Sequence, residues 1–213
     1  MNQKSVTKHF NKIAKDYDLY KKNHFYYSNL VKRELGKRIP KGARILDYGC
    51  GTGEILNFLS PIHGIGFDPS RGMIKIAKKK FPGKKNLTFT DKAGEIKGHF
   101  DYIISVDTIE HFPSPADEFK KIRKFMDKST KFIVSYGNPR WNWLISILEK
   151  IRPKTPEGPH NRISQKEVII AAQKAGLKLS KPVPFRLIDI FIFTTCEESP
   201  LKHRMEYARK KFN

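Results

Sequence analysis

The sequence alternates short apolar runs with segments of helical periodicity. The runs of strand length are Arg44–Asp47, Gly64–Asp68, Leu87–Thr90, Tyr102–Val106 and Phe132–Tyr136. Three of the helical segments begin with a serine suited to capping, at Ser70, Ser114 and Ser164. Strands that alternate with helices of this length pair in parallel through right-handed crossovers, so the pattern predicts a doubly wound α/β sheet.

The end of the sequence breaks this alternation. The runs "LKL" and "FRLIDIFIF" follow each other without an intervening helix, which predicts an antiparallel strand pair at one edge of the sheet. A length of 213 residues suits one domain. We divide residues 1–213 into an N-terminal helical segment (1–40), a core (41–136), a cap (137–163) and a C-terminal helix with the strand pair (164–213).

The first predicted strand leads into a glycine-rich turn. The stretch "ILDYGCGTGEI" places Gly49, Gly51 and Gly53 just after Asp47. In a doubly wound sheet this turn lies at the topological switch point, where glycines let the backbone approach a ligand over a helix N-terminus. Asp68 ends the next strand about 20 residues further on, where an acidic side chain commonly binds ribose hydroxyls. The two features together predict a nucleotide-like cofactor.

The glycine spacing distinguishes between cofactors. Dinucleotide folds use G-x-G-x-x-G and present a helix dipole to a pyrophosphate, whereas this chain has G-x-G-x-G. The carboxylate of Asp47 beside the turn would repel a pyrophosphate and would suit a ligand that carries an amino group and a sulfonium. The sequence therefore favours S-adenosylmethionine over a nicotinamide cofactor.

These stretches resemble the class I S-adenosylmethionine-dependent methyltransferases over nearly the whole chain. The motif-bearing segments are "ILDYGCGTG", "GIGFDPS", "FDYIISVDTIEHF" and the early "HFNKIAKDYD". The resemblance implies a Rossmann-like, seven-stranded sheet that is mostly parallel with a reversed last strand. It also implies an N-terminal helical segment and a small cap after the fifth strand.

The same resemblance implies cofactor-binding roles. Asp68 would bind the ribose, the three glycines would line the methionine moiety, Tyr17 would close over the cofactor, and Met73 would touch the adenine. Where family members often show Gly-Asp-Ala, this chain has "TDKAGE", so Asp91 or Lys92 would take the adenine amino contact. The remaining positions assigned to the cofactor from these motifs are Asp47, Cys50, Pro69, Val106 and Asp107.

A cluster of titratable residues follows the fourth predicted strand. The run "VDTIEHF" places Asp107, Glu110 and His111 at the carboxyl edge of the sheet. It resembles the E-x-x-E-H segment of ubiquinone-pathway O-methyltransferases and small-RNA 2′-O-methyltransferases, where carboxylates and histidines hold a divalent ion. His160 in "GPHNRIS" would supply the later histidine, and Asp107 stands where those families carry glutamate. The alternatives are His111 as a metal-free base, or simple helix capping by Glu110 and His111 with His160 in a loop.

The predicted cap carries an amphipathic stretch. Its apolar residues are Trp141, Trp143, Leu144, Ile147, Leu148 and Ile151. They predict either a substrate cap, with Arg140 and Arg162 available for an anion, or a helix packed on the sheet. The pattern resembles methyltransferases found alongside glycosyltransferases, which suggests a glycan or lipid-linked acceptor.

The formal net charge of +21 creates a field that attracts polyanions. The partner would be RNA, an anionic membrane or a phosphorylated substrate, unless the lysines only solvate the surface. We found no apolar run of membrane-spanning length and no secretory signal, so we expect a cytoplasmic protein. The sequence predicts methyl transfer to a small-molecule or lipid- or glycan-linked acceptor, at oxygen, with RNA methylation as the alternative.

Overall fold

The computed structural model describes residues 2–22, 25–137, 158–183 and 188–196. The chain begins with helices α1 (Gln3–Ile13), α2 (Tyr17–Lys22) and α3 (Phe25–Gly36). Asn2 caps α1 by accepting a hydrogen bond from the Ser5 backbone N–H at 2.8 Å. Helices therefore fill most of the predicted N-terminal helical segment.

The described residues contain one seven-stranded sheet with the order β3-β2-β1-β4-β5-β7-β6. The strands are β1 (Arg44–Tyr48), β2 (His63–Phe67), β3 (Leu87–Thr90), β4 (Tyr102–Val106), β5 (Lys131–Gly137), β6 (Leu177–Val183) and β7 (Ile188–Thr195). The first five pair in parallel, and β7 runs antiparallel to both β5 and β6. The predicted doubly wound sheet and its antiparallel terminal pair are confirmed.

The four remaining helices of the described residues are α4 (Glu54–Leu59), α5 (Arg71–Lys80), α6 (Pro115–Arg123) and α7 (Gln165–Lys174). Three of them start where the capping serines predict, and α4 starts after Gly53 without a side-chain cap. Ser70 accepts from the Met73 N–H, and Ser164 forms a reciprocal capping box with Glu167. Side chains thus satisfy backbone donors that the first helical turn leaves without partners.

The core lies on both faces of the sheet. On one face Phe119 of α6 packs edge-to-face on Phe132 of β5, with ring centroids 5.2 Å apart, and Phe193 of β7 lies beside both. On the other face Leu35 of α3 and Leu56 of α4 belong to a second buried cluster. Because both faces are covered, the central parallel strands are buried along most of their length and mostly apolar, which is why they read as continuous runs.

The order of the strands creates the crevice in which a ligand can lie. The chain proceeds outward from β1 to β3 and then crosses to β4 on the other side of β1. Consecutive connections leave the carboxyl ends of β1 and β4 in opposite directions, so a crevice opens between them. The glycine turn after β1 and the acidic run after β4 both lie at this crevice.

Polar contacts join the N-terminal helices to the sheet domain. Asn11 of α1 accepts from the Gly72 backbone N–H at 2.8 Å and from the Ser70 hydroxyl at 2.9 Å. Asp18 of α2 accepts from the Thr52 hydroxyl at 2.6 Å and from the Lys80 ammonium at 2.7 Å. These contacts hold α1 and α2 over the glycine turn.

Most of the predicted cap, including Arg140 and its tryptophans, lies outside the described residues. The structure describes the end of the predicted cap from Gly158 onward, and Arg162 is exposed in this segment. The Asn161 backbone N–H donates to the Glu110 carbonyl at 2.7 Å, which ties this end to the segment after β4. Within the four described ranges, no helix combines the length and apolarity that a membrane crossing requires.

Replacing Lys80 by Met should loosen the N-terminal helices. Lys80 also contacts Glu54, so its loss removes the ammonium that bridges Asp18 and Glu54 and leaves Glu54 with Lys32 at 3.5 Å. We expect α1 and α2 to lose about 1 kcal/mol of local stability, which is roughly fivefold faster amide exchange. Hydrogen exchange followed by mass spectrometry measures this directly.

Lys79→Met is the matched control, because Lys79 lies on the same helix and is exposed. Equal exchange in α1 and α2 for both variants would contradict a holding role for Lys80.

Candidate active site

A cavity of about 380 Å³ lies at the carboxyl ends of β1, β2 and β4. Helices α1 and α2 contribute part of its wall, through Phe10, Tyr17 and Lys21 among others. The sequence-predicted residues that line it are Tyr17, Asp47, Gly49, Cys50, Gly51, Asp68, Pro69, Met73, Val106, Asp107 and His111. Its volume is typical of a small-molecule or cofactor site.

The glycine turn is packed too closely to accept side chains at some positions. Gly49 has φ +90°, and a Cβ there would lie 2.3 Å from Cγ2 of Thr108. The backbone N–H groups of Gly49 and Cys50 donate to the Phe67 carbonyl at 2.7 and 3.0 Å, which fixes the turn against β2. The turn is therefore held in place by neighbours on two strands.

Gly53 does not line the cavity, contrary to its predicted role beside the methionine moiety. It is the N-cap of α4 with φ +80°, and a Cβ there would lie 2.6 Å from the Phe89 ring. A glycine is required here because α4 packs closely on β3. Close helix–strand packing is one of the roles that glycines play in such turns.

Asp68 is held by the backbone. Its carboxylate accepts from the Gly51 N–H at 2.9 Å and from the Ser70 N–H at 2.8 Å. Burial raises the pKa of Asp68 to about 6, against the opposing effect of these two hydrogen bonds. The carboxylate is thus fixed in orientation at the cavity wall with acceptor capacity remaining.

Asp47 is buried and only partly satisfied. Its Oδ2 has no hydrogen-bond partner among the described residues. Burial, followed by the charge of Asp68, raises the pKa of Asp47 to about 7, while Lys21 opposes the shift. A buried carboxylate oxygen without a donor favours a ligand that brings a cation or N–H group to it.

Lys21 was not identified from the sequence, although it lines the cavity. Its Nζ lies 5.3 Å from the centroid of the Tyr17 ring. The Tyr17 phenol raises the pKa of Lys21 most, and Asp107 and Asp47 add to this against the cost of burial. The available signal was spacing, because residues 17 and 21 share one face of a helix.

Asp107 follows β4 in a left-handed conformation, with φ +51°. Its backbone N–H donates to the Ser135 carbonyl, and its Oδ1 accepts from the Tyr27 hydroxyl at 2.5 Å. Burial raises the pKa of Asp107, while Lys21 and the Tyr27 hydrogen bond lower it. Strain of this kind is tolerated in aspartate and concentrates at functional sites.

Glu110 lies next to the cavity but does not line it. Burial, and then the charge of Asp107, raise the pKa of Glu110 to about 8. Its Oε2 and the Tyr136 hydroxyl are buried without a partner among the described residues. Asp107, Tyr27, Glu110 and Tyr136 thus form a polar group that we name the acidic wall.

His111 lines the cavity and has a defined tautomer. Its Nδ1 lies 2.9 Å from the Pro159 carbonyl oxygen, and because a carbonyl only accepts, Nδ1 carries the hydrogen. Burial lowers the pKa of His111, although this hydrogen bond opposes the shift. The ring is therefore neutral near pH 7, and Nε2 is the nitrogen that can accept a proton.

The predicted divalent-ion cage is not formed. The rings of His111 and His160 lie 6.5 Å apart, and His160 is exposed and does not line the cavity. In the part of the chain that the structure describes, no group of three or more His, Cys, Asp or Glu side chains is placed to hold a metal ion. The reason is that Asp107 turns towards Tyr27 and His111 towards Pro159.

The predicted adenine contacts also differ from the structure. Asp91 accepts from Arg71 at 3.0 Å, and Lys92 pairs with Glu95 at 3.2 Å. Neither residue lines the cavity, whereas Ala93, at the start of a 3₁₀ turn, does. In the turn after β3, the small residue Ala93 lines the cavity, whereas Asp91 and Lys92 form ion pairs outside it.

Comparison with known families assigns the chain to a family. The family model for a methyltransferase domain matches residues 20–181. This chain belongs to that methyltransferase family. The match spans the strands from β1 to β5, the glycine turn and the segment after β4, which together build the cavity.

Relatives of this methyltransferase act on different acceptors, as their names state. It is 28% identical over 183 residues to the ubiquinone biosynthesis O-methyltransferase of Coxiella burnetii, covering 79% of this chain and 73% of that protein. It is 30% identical over 120 residues to the probable tRNA methyltransferase 9B of Bos taurus, covering 51% of this chain. The chain spans only 25% to 29% of the length of the first curated relatives that it matches.

The fold of the methyltransferase is shared with solved structures. Magnesium protoporphyrin IX methyltransferase from Synechocystis PCC 6803, with bound SAH, superposes with a TM-score of 0.59 at 17% identity, covering 83% of this chain and 84% of that one. At this identity the likeness shows a shared fold, whereas membership of the family rests on the domain match.

Gly49→Ala should destabilise the methyltransferase. The new Cβ meets Thr108 and forces a positive φ on alanine, which together cost about 2–4 kcal/mol. Adding Thr108→Ser removes the contacting methyl group and retains the hydroxyl that hydrogen bonds with Ser105, so it should restore part of this loss. Denaturant unfolding of both variants checks the prediction.

Gly83→Ala serves as the control, because no atom lies within 4 Å of a Cβ at that position. The packing explanation fails if Thr108→Ser restores no stability to the Gly49→Ala variant.

Proposed function

We propose that this methyltransferase transfers a methyl group from S-adenosylmethionine to a hydroxyl oxygen of a small-molecule, lipid-linked or glycan-linked acceptor, with His111 as the base. The observation that carries the proposal is the hydrogen bond between His111 Nδ1 and the Pro159 carbonyl. It leaves Nε2 as the ring nitrogen that accepts a proton, on a residue that lines the cavity.

The cavity fits the cofactor. Asp68, oriented by two backbone N–H groups, would bind the ribose hydroxyls, and the Gly49–Gly51 backbone would lie against the methionine moiety. The unpartnered oxygen of Asp47 would take the cationic amino group, and Lys21 would take the carboxylate. When bound, S-adenosylmethionine supplies a methyl group that its sulfonium has already activated.

Proton transfer is the step for which the protein must provide chemistry. A hydroxyl oxygen loses its proton as the methyl group arrives, and a neutral imidazole can accept that proton. Because burial keeps the pKa of His111 low, the ring is ready to act at neutral pH. The Pro159 contact also keeps the ring oriented, since Nδ1 remains bonded while Nε2 becomes protonated.

The acidic wall would position the acceptor. Asp107 lines the cavity, and next to the cavity Glu110 Oε2 and the Tyr136 hydroxyl are buried without a partner among the described residues, so an acceptor with several hydroxyl groups that reaches past Asp107 would satisfy them. The pKa of Glu110 near 8 means that it is mostly protonated at pH 7 and can donate as well as accept. A polyhydroxylated or phenolic acceptor fits this mixture of donors and acceptors.

One relative supports an oxygen acceptor, and another supports an RNA acceptor. The Coxiella burnetii protein is named an O-methyltransferase and matches 79% of this chain, whereas the bovine tRNA methyltransferase matches 51%. The net charge of +21 favours RNA as the second candidate. We favour the small hydroxyl acceptor because the match to the named O-methyltransferase covers more of this chain.

Asp68→Ala should weaken S-adenosylmethionine binding by about tenfold or more, because hydrogen bonds to a charged group each contribute roughly 1.5–3 kcal/mol. Isothermal titration calorimetry measures the affinity, and Asp91→Ala is the matched control because Asp91 lies outside the cavity. Equal affinities for the two folded variants would remove Asp68 from the cofactor site.

Cofactor binding should strengthen as the pH rises through about 7. Asp47 is protonated below its pKa and attracts a cationic ligand only when ionised, so binding releases a proton. Affinity at pH 8 should exceed that at pH 6 by up to about tenfold. The same calorimetry in two buffers of different ionisation enthalpy counts the released proton, which the Asp47→Asn variant should no longer release.

His111→Ala should lower turnover by about 10²-fold while cofactor affinity stays nearly constant, because the side chain acts on the acceptor proton. In the wild type, turnover should be flat near neutral pH and fall on the acid side, below the ordinary histidine pKa of 6.5, as the ring becomes protonated. Methyl transfer from labelled cofactor to a panel of phenols, polyols and RNA provides the assay.

His63→Ala is the control, because His63 is exposed at the opposite edge of the sheet. Near-normal turnover of the His111→Ala variant on its identified acceptor would rule out the base. Loss of activity on chelation would instead favour an ion-assisted mechanism.

A further inference from the structure

Helix α1 has two chemically different faces. Val6 and Phe10 line the cavity, and Ile13 packs with Met73 of α5. Lysines at positions 4, 8 and 12 recur every four residues, so they share one side of the helix, opposite to these apolar residues. Lys15 follows in the turn after the helix and is exposed. We name Lys4, Lys8, Lys12 and Lys15 the basic stripe.

The basic stripe is exposed and lacks internal counterions. All four side chains face solvent, and none forms an ion pair with any residue in the described ranges. Two aspartates occur between residues 2 and 22, and one of them, Asp18, is held by Thr52 and Lys80. The stripe therefore retains its positive potential for an external partner.

Three large apolar side chains that follow the basic stripe in the sequence are exposed to solvent. Leu19, Phe25 and Tyr26 are 62%, 59% and 81% exposed, and we name them the apolar group. Leu19 projects away from the cavity because Tyr17 and Lys21, two residues to either side of it, point inward. The rings of Phe25 and Tyr26 contact each other edge to face, with centroids 5.9 Å apart, and large apolar side chains with this much exposure mark an interaction surface.

We propose that the basic stripe and the apolar group together dock this methyltransferase on the surface of an anionic lipid bilayer. Lysines beside a bilayer are attracted to acidic headgroups, and leucine and aromatic side chains insert at the boundary between headgroups and acyl chains. Each signal alone gives weak binding, whereas the combination gives stable and reversible association.

The chemistry of this surface favours lipid over the other partners. RNA-binding surfaces rely on arginine for phosphate forks and base stacking, and residues 2–22 contain no arginine. Leu19 has no planar face on which a base could stack. A second copy of the chain in a two-fold arrangement would place the basic stripe near its own copy, where like charges repel.

Docking would place the cavity close to the lipid. Helices α1 and α2, which carry Lys4, Lys8, Lys12 and Leu19 on their outer faces, also line the cavity through Phe10, Tyr17 and Lys21. An acceptor held in the bilayer would then reach the site over a short distance. The docking surface itself is independent of which acceptor is methylated, so it can be tested separately.

The test is vesicle flotation with phosphatidylcholine alone and with phosphatidylcholine mixed with phosphatidylglycerol. We expect binding only to the mixed vesicles, weakened by added salt. Reversing Lys8 and Lys12 to Glu should lower the affinity about fivefold or more per lysine. Leu19→Ser with Tyr26→Ser should also weaken binding at least about tenfold, because two inserted side chains are lost.

The matched controls are Ile62→Ser, an apolar residue 69% exposed beside the amino end of β2, and Lys128→Glu, an exposed lysine before β5. Both should bind vesicles like the wild type, and every variant should keep its affinity for S-adenosylhomocysteine, which confirms folding. Absence of vesicle binding at low salt, equal binding to neutral vesicles, or equal losses in the controls would overturn the proposal. So would variants that lose binding to a non-specific RNA, or lose self-association in sedimentation, without losing vesicle binding.

Discussion

The site depends on the burial of carboxylates in a chain whose net charge is strongly positive. Asp47, Asp68 and Asp107 all have raised pKa values, with burial as the first cause. Removing a carboxylate from water is costly, so each needs a partner. Backbone N–H groups satisfy Asp68, Tyr27 satisfies part of Asp107, and Lys21 lies near the others. A cationic cofactor can stabilise the carboxylate oxygens that these groups do not satisfy.

The N-terminal helices connect this electrostatic requirement to packing. Their inner faces bring Tyr17 and Lys21 to the cavity, and Asp18 secures them through Thr52 and Lys80. A cofactor entering the cavity therefore meets a wall that can open only by breaking these polar contacts. The exposed lysines and apolar residues on the outer faces have no such role in the fold, which is why they point to an external partner.

The proposed base, His111, depends on contacts between parts of the chain that are far apart in sequence. His111 is separated by 48 positions from Pro159, whose carbonyl sets its tautomer. Glu110 accepts through its backbone carbonyl from Asn161, so the same segment holds both residues. The end of the cap after β5 thus orients the catalytic side of the site, whereas the cofactor side is built from β1, β2 and their turns.

Local pattern was sufficient for the strands, the serine caps and the glycine turn with Asp68, because each depends on residues close together in sequence. Tertiary structure decided the rest. Gly53 packs on Phe89, and Asp91 pairs with Arg71, so neither lines the cavity. Lys21 and Tyr27 reach the site because whole helices fold over the sheet; spacing puts Lys21 on the same helix face as Tyr17, but it does not put that face over the cavity. The sequence by itself determined the fold and the cofactor, since backbone conformation and periodicity are local; only packing between distant segments decided which charged side chains face the ligand.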